Sequence, residues 1–150
     1  MPASKPPRLI HLLAAANRRV MAIAEAGLAD LSLTPSQSAA LFVLGERGRI
    51  SVTELGQVLD LSQSSASTLV QKLEAAGLVS RSADPADRRA VTLMLTFEGD
   101  EMRRVTARRA NDLNRRMAAG LSAEALAVIA QWLATVATDP VDPEQETTRP

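Results

Sequence analysis

Between Ser51 and Leu95 the spacing of apolar residues changes period, and that change restricts the chain to a narrow set of folds. Val52, Leu55, Val58 and Leu59 recur at helical spacing behind Ser51 and Glu54, a capping-box pair in which each side chain satisfies the other's backbone amide. The helix they predict is short, about two turns. After only Asp60 and Leu61, Ser62 offers another N-cap, followed by Ala66, Leu69, Val70, Leu73 and Ala76 on one face and Gly77 as a stop. Two helices joined by so tight a turn form a helix-turn-helix candidate. From Leu78 the period falls to two: Leu78 to Arg81 reads as a strand, and Val91, Leu93 and Leu95 alternate with Thr92, Met94 and Thr96 in another. The loop between them, Ser82 to Arg89, holds the turn residues Asp84, Pro85 and Asp87. This is a hairpin with a long tip, the shape of a wing.

Helices flank this centre on both sides. Pro7 to Leu31 places Leu9, Leu12, Leu13, Ala16, Val20, Ile23, Ala24 and Leu28 at mixed three and four spacing, an amphipathic helix that needs a partner. Thr34, Pro35 and Gln37 supply an N-cap, a first-turn proline and a capping-box glutamine for a second helix, with Gly45 and Gly48 as possible stops. Thr96 caps a fifth helix that runs to about Ala119; Gly120 breaks it, and Ser122 caps a sixth through Leu126, Ile129, Leu133 and Val136. The expected fold is mainly α with a small β-hairpin wing.

A chain of 150 residues fits one domain with a real core. No apolar run approaches the roughly 18 residues that span a bilayer, and Met1 to Arg8 lacks the features of a signal peptide, so a cytoplasmic protein with no membrane partner is expected. The absence of cysteine excludes disulfides, thiolate metal sites and cysteine redox sensing, and with His11 the one histidine neither a metal nor a cofactor is indicated. Formal net charge is zero, which counts against a nucleic-acid partner until its distribution is considered. The segment from Asp139 to Pro150 carries Asp139, Asp142, Glu144 and Glu146 against Arg149, so the rest of the chain is net positive. That acidic, proline-bearing tail, residues 139–150, is expected to be disordered.

The fourth helix carries the chemistry. Turning 100° per residue, it sets Ser64, Ser67, Thr68, Gln71 and Ala75 opposite its apolar face, a small, hydrogen-bonding surface free of acids. Short side chains allow close approach in a major groove about 12 Å wide, and a glutamine can contact adenine with two hydrogen bonds. Ser62 and Gln63 at the helix N-terminus can hold phosphates, and Lys72 at the edge of the face would reach the backbone. At the wing tip, Arg88 and Arg89 suit the narrow minor groove, where negative potential is greatest, and Asp87 can orient one of them. The plain alternative is a solvated helix face and an ordinary charged turn.

The run DPADRRAVTLMLTFEG, Asp84 to Gly99, closely resembles the wing signature of the MarR family, an acid-x-arginine element leading into a strand and then Leu-Thr-x-x-Gly, here Asp87, Arg89, Leu95, Thr96 and Gly99. Upstream, LTPSQSAALFVL and SVTELGQVLDLSQSSASTLVQKLEAAGLVSR, and the closing LSAEAL, resemble the family's other helix signatures in the same order, covering Leu9 to Ala137. The resemblance implies a winged helix-turn-helix lobe over residues 35–96 and a helical dimerisation region over 1–34 and 97–138. It also implies a homodimer on a roughly palindromic site in double-stranded DNA, acting as a repressor that a small-molecule effector relieves. With Phe42, Phe97 and Trp132 the chain's aromatics, nothing identifies that effector.

His11 in the first helix is expected at a surface or dimer interface rather than in a site. The arginine pairs of the fifth helix, Arg103 and Arg104, Arg108 and Arg109, Arg115 and Arg116, read as a solvated face interleaved with acids. No catalytic constellation is present, so an enzyme is not expected. The competing reading is a winged-helix module for protein contact or ligand sequestration without DNA binding, because the fold alone does not dictate function.

Overall fold

A computed structural model describes residues 8–83 and 91–138. The wing-tip residues Asp87, Arg88 and Arg89, the expected helix start at Pro7 and the tail after Thr138 lie outside the described residues. Among the described residues are six α-helices and one hairpin: α1 (Leu9–Leu28), α2 (Pro35–Arg47), α3 (Val52–Val58), α4 (Gln63–Ala75), β1 (Val79–Ala83), β2 (Val91–Leu95), α5 (Phe97–Ala118) and α6 (Ala123–Thr138). This is the mainly α fold with a small hairpin that the period changes require. The chain divides into two compact units between Leu113 and Asn114, within α5.

In the first unit the core gathers Leu41 and Leu44 of α2, Leu55 of α3, Val70 and Leu73 of α4 and Leu93 of β2, all fully buried. Burying each such side chain contributes roughly 1.5–3 kcal/mol, and together they hold the helix-turn-helix and the hairpin on one centre. The helix starts follow their local signals. Thr34 donates its amide to Gln37 Oε1 at 2.8 Å and accepts from the Gln37 amide at 3.2 Å, which explains why the polar Gln37 is buried without penalty. Ser51 and Glu54 make the same reciprocal box, at 2.7 and 3.1 Å. The Ser51 amide and hydroxyl hold the Glu54 carboxyl below its usual range.

The turn between α3 and α4 depends on Asp60, which adopts a left-handed φ of 53°. Its amide donates to Gln57 O at 3.3 Å and the Leu61 amide to Gly56 O at 2.8 Å, a Schellman closure that satisfies the last carbonyls of α3. Gly77 (φ 71°) closes α4 in the same way, with Leu78 donating to Leu73 O at 2.9 Å.

The end of the first helix and the bounds of the first strand differ from the sequence reading, and of the two stops offered for α2 the second is used. The first helix ends at Leu28 and tightens into a 3₁₀ turn, Ala29–Leu31, stopped by Ser32 at φ 55°. Gly45 does not stop α2, which continues to Arg47 and ends at Gly48 (φ 72°). Arg103 lies across the helix at Gly45, where an added Cβ would make its Cδ and Nε shift. The first strand begins at Val79 and extends to Ala83, paired antiparallel from Val79↔Leu95 to Ala83↔Val91, because Leu78 is used by the Gly77 turn. Ile50 adds a bridge to Leu93, whose amide donates to Ile50 O at 2.8 Å, so the hairpin is anchored beside α3. The alternation in β2 is also shifted, with Thr92 buried and donating to Ser82 O at 3.4 Å, and Val91 exposed.

Thr96 joins the hairpin to α5. Its hydroxyl accepts from the Gly99 amide at 2.9 Å as the N-cap and donates to Gly77 O at 2.7 Å, while its amide donates to Leu78 O at 3.1 Å. Gly99 is buried against the same turn, and a Cβ there would overlap the Leu78 carbonyl. The Leu-Thr-x-x-Gly run is therefore a joint, in which one hydroxyl and one missing side chain let the start of α5 sit on the end of α4.

The second unit holds the last turn of α5, a Gly120 turn (φ 85°) and α6, capped by Ser122, whose hydroxyl accepts from the Ala125 amide at 3.2 Å. Ile129, Trp132, Leu133 and Val136 of α6 are all exposed, leaving an apolar helix face uncovered. Among the described residues no single helix is long and apolar enough to cross a membrane.

Candidate nucleic-acid interface

The structure brings the predicted residues of α4 onto one surface. Ser64, Thr68 and Gln71 are exposed and Ser67 is half-buried, opposite the buried Ala66, Leu69, Val70 and Leu73. Ser62 is the N-cap: its hydroxyl accepts from the Ser65 amide at 3.2 Å and lies within hydrogen-bond reach of the Ser64 and Ser65 hydroxyls, at 3.1 and 2.9 Å. Gln63 accepts from the Thr53 hydroxyl at 3.4 Å, tying the start of α4 to α3. Thr68 donates its hydroxyl to Ser64 O at 3.0 Å, which leaves the hydroxyl oxygen able to accept.

Lys72 shares an open cleft of about 480 Å³ with Thr34, Ser36 and Gln37 of the α2 start and with Leu61, Ser64, Ser65, Thr68 and Leu69. Neither α2 nor α4 has an acid in its first turn. The positive ends of two helix dipoles and one ammonium thus border the same concavity, an arrangement that favours an anion. The capping signal at Thr34 is plain in the sequence, but its approach to α4 follows only from the packing of the two helices.

At the wing, the pair Ala83↔Val91 brackets the tip that carries Asp87, Arg88 and Arg89. Two further cations mark its base. Arg49 donates to Ser82 Oγ at 2.7 Å, and Arg81 Nε donates to both carboxylate oxygens of Glu74, each at 3.0 Å. Neither contact is evident from sequence spacing.

The α5 arginines divide into two kinds. Arg104 is exposed and pairs with Asp100 and Glu101 at 2.8 and 3.0 Å, the solvated pattern expected. Arg103 and Arg109 are tethers instead. Arg103 packs over Gly45 and pairs with Asp100 at 2.8 Å, and Arg109 reaches Asp30 at 2.8 Å and also the Gly27 carbonyl. Hydrogen bonding to Arg109 holds the Asp30 carboxyl below its ordinary range, and hydrogen bonding to Arg103 does the same for Asp100. His11 is exposed on α1.

The MarR family profile matches residues 31–90, which contain the cleft, α4 and the wing tip. The crystal structure of a probable transcriptional regulator from Pseudomonas aeruginosa is 31% identical, superposes with a TM-score of 0.77, and is matched over 86% of this chain and 96% of its own. The chain belongs to the MarR family. A second MarR-type structure concerns the regulation of DNA binding of Bordetella bronchiseptica BpsR by 6-hydroxynicotinic acid; it has a TM-score of 0.80 and 26% identity, over 93% of this chain and 100% of that one. Among curated proteins, the HTH-type transcriptional repressor NicR of Pseudomonas putida is 37% identical over 89 residues, 59% of this chain and 56% of NicR. The chain spans about half the length of the curated relatives it matches. The expected family and winged-helix fold are therefore both found, and the family is one of DNA-binding transcriptional regulators.

Proposed function

We propose that this MarR-family chain is a sequence-specific regulator, a cytoplasmic repressor that binds double-stranded DNA as a homodimer and is relieved by a small-molecule effector. The observation that carries the reading is the exposed polar face of α4, which has no acid from Gln63 to Leu73, beside the N-terminus of α2. Ser64, Ser67, Thr68 and Gln71 read the major groove. Ser62, Gln63 and Lys72 hold the backbone, while Arg88 and Arg89, oriented by Asp87, enter the minor groove. Residues 35–96 form the DNA-binding lobe. The helices within 1–34 and 97–138 dimerise, a role supported by the exposed Leu9, Ile10 and Leu12 of α1 and by the uncovered face of α6. Such a dimer sets its two recognition helices about 34–36 Å apart and favours a palindromic operator. Effector relief is supported by the structural relative BpsR, whose DNA binding 6-hydroxynicotinic acid regulates.

The test is binding of the purified protein to DNA flanking its own gene, across a salt series, beside an unrelated fragment. Saturable, selective binding that falls steeply with salt is expected. Gln71→Ala should relax choice at one base step, at a cost of about 1–3 kcal/mol, whereas Arg89→Ala should weaken binding broadly. Unchanged affinity in both variants would overturn the contact assignment. Absence of binding even at low salt would leave the protein-contact module.

A further inference from the structure

Glu74 breaks the charge pattern of α4. The helix carries no acid from Gln63 to Leu73, yet Glu74 follows Ser67 by seven residues and Gln71 by three, which extends the same side of the helix by one turn. A carboxylate at the edge of a DNA-reading face opposes phosphate whatever the base sequence, so charge alone gives no reason to keep it there. What it does have is a directional partner. Arg81 on β1 donates through Nε to both carboxylate oxygens, at 3.0 Å each, with both side chains only partly exposed (39% and 29%).

The pair spans the turn at which the recognition helix passes into the wing. Glu74 is in the last turn of α4, the Gly77 closure follows, and Arg81 stands opposite Leu93 in the hairpin. The Arg81 Nε–H is shared between the two oxygens, a contact made by the one guanidinium donor that a lysine side chain, with its ammonium one atom further out, does not offer. A bridge this exposed adds little to stability. It nevertheless adds a side-chain restraint between the last turn of α4 and β1, beside the Ile50–Leu93 bridge and the Thr96 bonds that hold the base of the hairpin. Base contacts from α4 and groove contacts from the wing tip must be made together, so a wing already at the right angle avoids an ordering cost in the specific complex. Non-specific binding to phosphate has no such requirement.

We propose that Glu74 and Arg81 are positioning residues of the DNA interface, a bridge that fixes the wing relative to the recognition helix and so favours specific over non-specific DNA. The inference rests on the DNA-binding reading above. It predicts the opposite sign from charge counting, under which removing an acid from this surface should tighten every complex.

The experiment uses the full chain, a duplex selected by the wild-type protein from a random pool, and an unselected duplex of the same length. Arg81→Lys keeps the net charge and removes the Nε–H that Glu74 accepts from; Glu74→Gln raises the net charge by one. Arg81→Lys is expected to lower affinity for the selected duplex by about tenfold while leaving the unselected one within about twofold. Glu74→Gln is expected to weaken the selected complex severalfold and to tighten the unselected one at low salt. Thermal unfolding of both variants should stay close to wild type. If Arg81→Lys matches wild type on both duplexes, or Glu74→Gln tightens both alike, the positioning role is overturned and the DNA reading stands. If the wild-type protein selects no duplex at all, the DNA reading fails and this inference with it.

Discussion

Thr96→Val isolates the joint between the hairpin and α5. Valine keeps the shape of threonine and opens no cavity, but it removes the hydroxyl that accepts from the Gly99 amide at 2.9 Å and donates to Gly77 O at 2.7 Å. Loss of the N-cap costs about 1 kcal/mol, and loss of the second hydrogen bond about another 1 kcal/mol. Gly99 is buried, so its amide cannot turn to water for compensation. The expected destabilisation is therefore about 2 kcal/mol, while Thr96→Ser, which retains both bonds, should stay within about 0.5 kcal/mol of wild type. Urea unfolding at one fixed protein concentration measures this, with an unchanged slope and a lowered midpoint for the valine variant. Equal midpoints for Thr96→Val and wild type, or equal losses for the valine and serine variants, would refute the account.

Three further outcomes follow from the same contacts. Gly99→Ala should destabilise by about 1–3 kcal/mol in the same urea assay, although alanine is the better helix former by about 1 kcal/mol, because its Cβ would overlap the Leu78 carbonyl. Asp30 has a folded-state pKa below its ordinary 3.8, chiefly through its hydrogen bond to Arg109. Its contribution is present above 3.8 and lost as the pH falls through the lower folded value. Asp30→Asn should thus be less stable than wild type at neutral pH and converge with it in acid, which thermal melts across pH will show. Ile129→Asp places a charge on the exposed apolar face of α6 and, under the proposed dimerisation through that face, should convert a wild-type dimer to a monomer of unchanged helicity by sedimentation and circular dichroism; equal mass for the two proteins would refute that interface.

The parts of this protein that depend on residues three or four apart were legible in its sequence. Thr34 with Gln37, Ser51 with Glu54, and Ser62 before the apolar face of α4 each complete their bonds inside one helical turn, so spacing was enough to locate them. The same holds for the polar surface of α4, since helical periodicity alone assigns residues to faces, although Glu74 at its last turn departs from the acid-free face expected, and for the change to period two that announces the hairpin. The wing arginines Arg88 and Arg89 remain a proposal from sequence, outside the described residues. Tertiary structure decided what lies far apart in the chain. Gly45 looked like a stop and lies instead inside α2 beneath Arg103; the arginine pairs of α5 read as a solvated face, yet Arg109 reaches Asp30; Ile50 gained a bridge to Leu93; and the α2 start came to share a cleft with Lys72. In each case the partner is chosen by how helices and hairpin pack around Leu41, Leu73 and Leu93, and a side chain's long-range neighbour is set by that packing rather than by its position in a turn.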